Sequence, residues 1–206
     1  MDAPLMTVTT LDGLAPAPAA PPPARRGSRA LLRAVEDHDR TTARHSYDVL
    51  DLARRVARTL GLAPAAVSEV EHVALLHDVG KLTVPHAVLS KAGSLNDAEW
   101  AIMRGHPAAG ANAVAQVCEL AHLAPAVRAS HERWDGAGYP DGLARREIPI
   151  ASRITFVCDA YDAMRSDRPY RAALSKPAAV VELRAGSGRQ FWPRAVGALC
   201  SVLRNR

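Results

Sequence analysis

Apolar residues recur at helical spacing along most of the chain beyond residue 30. Over residues 49–60 they step by three and four positions, and Gly61 follows where a helix would end. The apolar stripe over residues 150–164 has the same period and is the clearest in the chain. Strand-like alternation of apolar and polar positions is almost absent. The pattern therefore predicts an all-α domain.

Capping residues and prolines predict further helix boundaries. A stripe over residues 67–76 opens a second helix that ends near Gly80. Asn96 and Glu99 have the spacing of a capping box and begin a third helix, which Pro107 should break or redirect. The remaining predicted helices span residues 111–120 and about 125–132, and two more follow Pro177 and Pro193.

The composition fits one globular domain with a tail. Residues 1–30 are rich in Pro and Ala and can bury little apolar surface, so we expect a flexible, disordered tail there and one domain over residues 31–206. The chain of 206 residues is 48% hydrophobic and 23% charged, as is typical of globular proteins. No apolar run approaches the roughly 18 to 20 residues of a membrane span, and no signal peptide is apparent, so we expect a cytoplasmic protein without membrane contact.

The charge and the cysteines exclude several classes of partner and site. The net charge is +5, but the basic residues are mostly arginines spread over many segments, which indicates codon usage rather than a nucleic-acid surface. Aromatic residues make up only 4% of the chain, which argues against a stacking platform for single strands. No nucleic-acid polymer is therefore expected as a partner. Cys118, Cys158 and Cys200 are odd in number and widely spaced, which argues against a disulfide scaffold or a thiolate zinc site.

Four of the eight histidines are placed to face the interior. A single buried imidazole is usually a hydrogen-bonded core residue. Four on one helical core, with Asp78 next to His77, would leave many polar groups in need of partners. A divalent cation bound by imidazole and carboxylate would satisfy them together. The four are His45, four residues before Val49; His77, four after Val73; His106, three after Met103; and His131, four after Val127.

Asp159 is the second candidate carboxylate. It follows Ala151 and Thr155 at intervals of four, on the side of the 150–164 helix opposite the apolar stripe, and Asp162 comes three residues later. Such a face is ordinarily solvated, and for Asp162 alone that interpretation is favoured. The small neighbours and the need for another carboxylate favour Asp159 as a ligand. The other histidines (His38, His72, His86 and His122) lie off the stripes and are taken as ordinary.

Several motifs occur in a fixed order between residues 38 and 200. Residues 77–81 read HDVGK, residues 131–140 read HERWDGAGYP, and residues 159–164 and 168–171 read DAYDAM and RPYR. His45-Ser46 and His106-Pro107 complete the set. Together these motifs resemble the HD-GYP family of the HD superfamily. The fold that this resemblance implies is the HD-superfamily helical bundle with a metal site in its core.

The resemblance also implies an activity. HD-GYP proteins are phosphodiesterases that hydrolyse cyclic di-GMP to pGpG or GMP, through a hydroxide that bridges two Fe or Mn ions. By position, Asp78 and Lys81 would be catalytic, and Lys81 would neutralise charge on the attacked phosphate. Lys81, Arg168 and Arg171 would bind the substrate. Asp162 would orient a basic neighbour. The implied ligands are His45, His77, Asp78 and Asp159 for one ion, and Asp78, His106 and His131 for the other.

The loop Gly138-Tyr139-Pro140 has two interpretations. In the family it lies near the mouth of the active site and also contacts other signalling proteins, so the resemblance implies both a substrate-side role and a possible partner surface. Its glycines permit a backbone path close to a ligand or partner, or they simply make a tight turn. Both uses stay open at the level of sequence.

Three departures from the family pattern qualify the expected activity. Ser130 stands where the family has the first of two paired histidines, so the second ion should bind more weakly or complete its shell with water. Thr41 stands where three-metal members place a Glu, so two ions are expected at most. Trp192 replaces a family Asp and should change only a helix cap. The alternatives are a catalytically degenerate domain that binds cyclic di-GMP or a protein partner, and a hydrolase for a different nucleotide, which the complete HERWDGAGYP motif disfavours.

Overall fold

The protein is an α-helical bundle, seen in a computed structural model that describes residues 23–167 and 172–204. In these residues the regular secondary structure is helical, apart from one isolated β-bridge between Ser187 and Phe191. The predicted all-α class is therefore confirmed. Short 3-10 helices span Val79–Thr83, Ala121–Leu123, Ala129–His131 and Arg145–Glu147. The α-helices are α1 (Pro23–His38), α2 (Arg40–Thr59), α3 (Pro64–Leu76), α4 (His86–Leu89), α5 (Asp97–Arg104), α6 (His106–Ala115), α7 (Ala124–Arg128), α8 (Ile150–Arg165), α9 (Lys176–Ala185) and α10 (Pro193–Arg204).

Helix α2 lies at the centre of the bundle. It packs against α1, α3, α8 and α10, and α3 also packs against α8. The predicted stripes face this interior, because the following side chains are fully buried: Val49, Val56, Val70, Val73, Ile154 and Val157. Burial of such side chains is the main stabilising contribution to a bundle of this kind. Among the described residues, no helix is long and apolar enough to cross a membrane.

The predicted start of the third helix is confirmed in detail. The Asn96 side chain accepts a hydrogen bond from the Glu99 backbone N–H at 2.9 Å, and the Glu99 carboxylate accepts one from the Asn96 N–H at 2.8 Å. The helix, α5, ends at Arg104. A new helix, α6, then begins with Pro107 in its first turn, so the predicted redirection by proline is also confirmed.

Four predicted elements have other bounds in the structure. The helix predicted to end near Gly80 ends at Leu76, and a 3-10 helix follows at Val79–Thr83. The helix predicted over 111–120 begins earlier and ends at Ala115, and the one predicted over 125–132 ends at Arg128 and gives way to a 3-10 turn. The predicted tail over residues 1–30 includes residues 23–30, which form the first part of α1; residues 1–22 lie outside the described residues. Helix α1 was missed because burial of Leu32 and Val35 against the bundle outweighs the local Pro- and Gly-rich composition.

The 3-10 helix Val79–Thr83 and α6 approach each other unusually closely. A Cβ atom on Gly80 would lie 1.8 Å from the carbonyl oxygen of His106 and 2.5 Å from the backbone nitrogen of Gly110. Both neighbours are backbone atoms, so no side-chain rotation could make room. Glycine in the HDVGK motif therefore allows the segment that carries Asp78 to meet the start of the helix that carries His106.

Candidate metal centre

The side chains predicted as metal ligands converge in the interior of the bundle. Two groups of three have ligand atoms that all lie within 4.8 Å of one another, and Asp78 belongs to both groups. The groups are His45, His77 and Asp78, and Asp78, His106 and His131. Asp159 joins the first group through His45, with 3.0 Å between its Oδ1 and the His45 Nε2.

The Asp78 carboxylate joins the two groups. Its Oδ2 lies 2.6 Å from the Lys81 Nζ and 3.4 Å from the His77 Nε2, whereas its Oδ1 lies 3.3 Å from the His106 Nε2 and 3.9 Å from the His131 Nε2. Burial by itself would raise the pKa of Asp78, but the adjacent His77 ring and the Lys81 ammonium group outweigh it and hold the pKa well below its usual range. The residue is therefore a buried, ionised carboxylate.

Backbone carbonyls set the tautomers of His77 and His106. The Nδ1 of His77 lies 2.8 Å from the Ala74 oxygen, and the Nδ1 of His106 lies 2.7 Å from the Met103 oxygen. Because a carbonyl can only accept, each Nδ1 carries the hydrogen and each Nε2 presents a lone pair. Burial lowers the pKa of both imidazoles, which favours the neutral form.

Buried atoms without partners show that this site fits a cation. Within the part of the chain that the structure describes, the His77 Nε2 and the Asp78 Oδ1 have no hydrogen-bond partner. Both atoms are acceptors, and a buried acceptor without a donor is costly. Divalent cations bound on the two sides of Asp78 would satisfy both atoms, and neutral imidazole with carboxylate suits Fe, Mn or Zn.

His45 lies between two carboxylates of α8. Its Nε2 is 3.0 Å from the Asp159 Oδ1 and its Nδ1 is 2.6 Å from the Asp162 Oδ2. Burial alone would lower the pKa of His45, but hydrogen bonds to Asp159 and Asp162 raise it to about 10. The Asp162 side chain therefore does not lie on a merely solvated face, and it contacts a basic neighbour. An outer carboxylate on the Nδ1 of a histidine is the usual partner of an imidazole that binds metal through Nε2.

The sequence pattern placed His106 and His131 correctly for a partly wrong reason. The apolar spacing predicts that both lie on the inner stripe of a helix. The structure instead puts His106 at the first position of α6 and His131 in the 3-10 helix after α7. Breaks in the helices, and not an unbroken helical face, turn these two rings inward.

The loop Gly138-Tyr139-Pro140 folds back on the segment that carries His131. The Tyr139 ring is parallel to the His131 ring within 1°, with 5.4 Å between centroids. A Cβ on Gly138 would lie 2.3 Å from the Arg133 nitrogen and 2.7 Å from the His131 oxygen, so the glycine allows a tight path over the chain's own backbone. Burial raises the pKa of Tyr139 to about 12, which keeps its hydroxyl neutral.

Glu132 is a residue of this region that sequence reasoning missed. Its side chain is buried, and its Oε1 accepts hydrogen bonds from the backbone N–H groups of Asp141 and Gly142 at 2.7 and 3.0 Å. The carboxylate thus holds the far end of the loop against the segment that carries His131. A lone acidic residue between His131 and Arg133 has no periodic signal that distinguishes it from a solvated charge.

The remaining predicted residues have varied surroundings. Ser130 is buried, and within the described chain its hydroxyl has no hydrogen-bond partner.

Trp192 does more than alter a helix cap, because it stacks on Trp134 with 6.3 Å between centroids and its ring centroid lies 4.8 Å from the guanidinium of Arg153. The predicted substrate-binding residues, Arg168 and Arg171, lie outside the described residues.

The structure is thus an all-α bundle in which five separate segments bring buried and half-buried histidines and aspartates together in a candidate metal centre. Residues 29–194 match the profile of the HD domain. The chain therefore belongs to the HD domain family, as its motifs predicted.

Comparison with known proteins agrees with this assignment. The chain is 41% identical, over 82% of its length, to the cyclic di-GMP phosphodiesterase response regulator RpfG of Xanthomonas campestris, and it covers 45% of that protein. It is 37% identical, over 81% of its length, to the 3'3'-cGAMP-specific phosphodiesterase 2 of Vibrio cholerae, of which it covers 32%. The chain thus spans less than half the length of either relative.

A solved structure also shares the fold. The HDG"Y"P protein Bd1817 of Bdellovibrio bacteriovorus superimposes with a TM-score of 0.66 at 20% identity. The match covers 88% of this chain and 62% of that one. At this level of identity the likeness shows the helical architecture and nothing further.

Proposed function

We propose that this domain is a metal-dependent phosphodiesterase that hydrolyses cyclic di-GMP to pGpG or GMP. The observation that carries the proposal is the buried Asp78 carboxylate shared by two histidine groups, with the acceptors Asp78 Oδ1 and His77 Nε2 left without donors. The names of the relatives supply the substrate class, and they favour an enzyme over a degenerate binding module.

The proposed centre holds two divalent cations, Fe or Mn. Such ions supply Lewis-acid stabilisation of phosphoryl oxygens and lower the pKa of water. Asp78 would contribute one carboxylate oxygen to each ion, because its two oxygens face different histidine groups. The proposed ligands are His45, His77, Asp78 and Asp159 for one ion, and Asp78, His106 and His131 for the other.

Lys81 and two arginines, Arg168 and Arg171, would counter the negative charge of the substrate. The Lys81 Nζ lies 2.6 Å from the Asp78 Oδ2, and its side chain is 24% exposed, so the ammonium group lies between the buried centre and solvent. A cation in this position would stabilise negative charge that develops on an attacked phosphate. We assign Asp78 and Lys81 as catalytic residues, and Arg168 and Arg171 as substrate-binding residues.

The test combines metal analysis with product analysis. The protein is purified anaerobically and loaded with Mn²⁺ or Fe²⁺, and its digests of cyclic di-GMP and 3'3'-cGAMP are separated by chromatography. We expect close to two ions per chain and a linear product from cyclic di-GMP, both lost in Asp78→Asn. Tight nucleotide binding with one ion and no product would instead establish the degenerate binding module.

Ser130 provides a second, graded test. Serine is a poor ligand for these ions, so the ion held by His106 and His131 should bind more weakly than the other. In Ser130→His we expect tighter binding of the second ion and a higher kcat, with Ser130→Ala as the matched control that adds no ligand. Unchanged metal stoichiometry and turnover in Ser130→His would remove residue 130 from the proposed site.

The proposal includes a cellular setting. We place the domain in the cytoplasm, with the loop Gly138-Tyr139-Pro140 as a surface for other cyclic di-GMP signalling proteins. Ala137 and Asp141, which flank this loop, are exposed and so accessible to a partner. Fractionation of cells that express the native protein tests the location. Binding of purified diguanylate cyclase domains, compared between the wild type and Ala137→Arg, tests the surface.

A further inference from the structure

A series of flat side chains leads from the candidate metal centre to the surface. The His131 ring stacks on Tyr139, and the Arg104 guanidinium lies 5.9 Å from the centroid of the Tyr139 ring. The same guanidinium lies 5.8 Å from the centroid of the Trp100 ring. Trp100 and Arg104 are on α5, which ends two residues before His106. The metal centre and this exposed pair are therefore connected by direct contacts.

The exposure of Trp100 is not explained by packing. None of the residues of α5 is buried, and 44% of Trp100 is exposed, although its indole is the largest apolar group of the helix. The helix is held instead by its capping box and by an ion pair between Lys91 and Glu99 at 2.5 Å. Trp100 therefore keeps 44% of its surface accessible to a ligand, with the Arg104 guanidinium 5.8 Å from its ring centroid.

Arg104 leaves its charge available next to this indole. Its guanidinium contacts two aromatic rings and forms no ion pair with a carboxylate among residues 23–167 and 172–204. Indole rings and guanidinium planes are groups on which nucleobases stack, and the cation can also contact a phosphate or a purine edge. A cyclic dinucleotide carries two purine bases, so a site for a base is required beside the centre that cleaves its phosphate.

We propose that Trp100 and Arg104 form a stacking site for one purine base of the cyclic-dinucleotide substrate. This inference rests on the proposed function, because it takes the substrate class from there. It adds two residues outside the HD-GYP motifs and assigns them to substrate affinity. They touch the base and not the reacting phosphate, so their loss should weaken binding and leave the chemistry of the metal centre intact.

The test compares a substrate that has bases with one that has none. KM and kcat are measured for cyclic di-GMP and for bis(p-nitrophenyl) phosphate in the metal-loaded wild type, Trp100→Ala, Trp100→Phe and Arg104→Ala. The control is Ile102→Ala, because Ile102 is on the same helix and is similarly exposed, at 45%. Base stacking on an aromatic side chain typically changes affinity by roughly tenfold or more.

We expect Trp100→Ala and Arg104→Ala to raise KM for cyclic di-GMP by about tenfold. Trp100→Phe should recover part of the affinity, and turnover of bis(p-nitrophenyl) phosphate should be unchanged in every variant. If the wild type binds cyclic di-GMP without turnover, the Kd from calorimetry replaces KM, with the same expectation. A KM or Kd in Trp100→Ala within twofold of the wild type would overturn the stacking site alone. A wild type that neither binds nor hydrolyses cyclic dinucleotides would overturn the proposed function and this inference with it.

Discussion

Replacement of Gly80 by alanine should both destabilise the fold and loosen the candidate metal centre. The added Cβ would lie 1.8 Å from the His106 carbonyl oxygen, whereas real Cβ contacts stay beyond 3.0 Å. The 3-10 helix and α6 must therefore move apart by more than 1 Å, since 1.8 must become at least 3.0 Å. Overpacking typically costs about 1–3 kcal/mol, and a clash between backbones should reach about 3 kcal/mol.

The same displacement should also lower the affinity of the centre for metal. Asp78 and His106 lie on the two segments that would separate, and their Oδ1 and Nε2 atoms are 3.3 Å apart. Metal ligands must keep their distances within about 0.2 Å, so we expect the affinity for Mn²⁺ to fall by at least about tenfold. Denaturant unfolding followed by circular dichroism, in chelator, gives the stability. Calorimetric titration with Mn²⁺ gives the affinity.

Gly197→Ala is the matched control, with the opposite expected sign. Gly197 is an exposed position within α10, and a Cβ there would meet nothing within 4 Å. Alanine should therefore stabilise the protein by about 0.5–1 kcal/mol through helix propensity alone. The reasoning is refuted if the free energy of unfolding of Gly80→Ala lies within about 1 kcal/mol of the wild-type value and its affinity for Mn²⁺ is unchanged.

Three further predictions concern charge, the loop and the thiols. Lys81→Gln should keep the metal content, measured by mass spectrometry, and lower kcat by about 10²–10³, whereas loss of metal would assign the lysine a structural role. Glu132→Ala should accelerate amide hydrogen exchange in the loop that its carboxylate holds, and unchanged exchange would refute that anchoring role. With a thiol reagent, only Cys118 should react rapidly in the native protein, because Cys158 and Cys200 are buried and burial raises the pKa of the Cys158 thiol. Fast reaction of all three would contradict the burial.

The features that could be predicted from the sequence are those with a local cause. The period of three and four in α2 and α8 follows from one buried face, and the Asn96 capping box needs only residues three apart. The ends of α6 and α7 have no such local cause. The start of α1 likewise depends on contacts of Leu32 and Val35 with distant helices, so composition alone suggested a tail.

The same distinction between local and tertiary causes applies to the candidate metal centre. The sequence by itself determined which donor side chains are present and that the chain belongs to the HD domain family, because the motifs specify histidine, aspartate and glycine at set positions. Only the tertiary structure decided that His45 lies between Asp159 and Asp162, that Asp78 faces two histidine groups, and that Glu132 holds a loop. The physical reason is that these contacts join residues far apart in the chain. Their geometry depends on how closely two backbones can approach, and a periodic pattern carries no information about that distance.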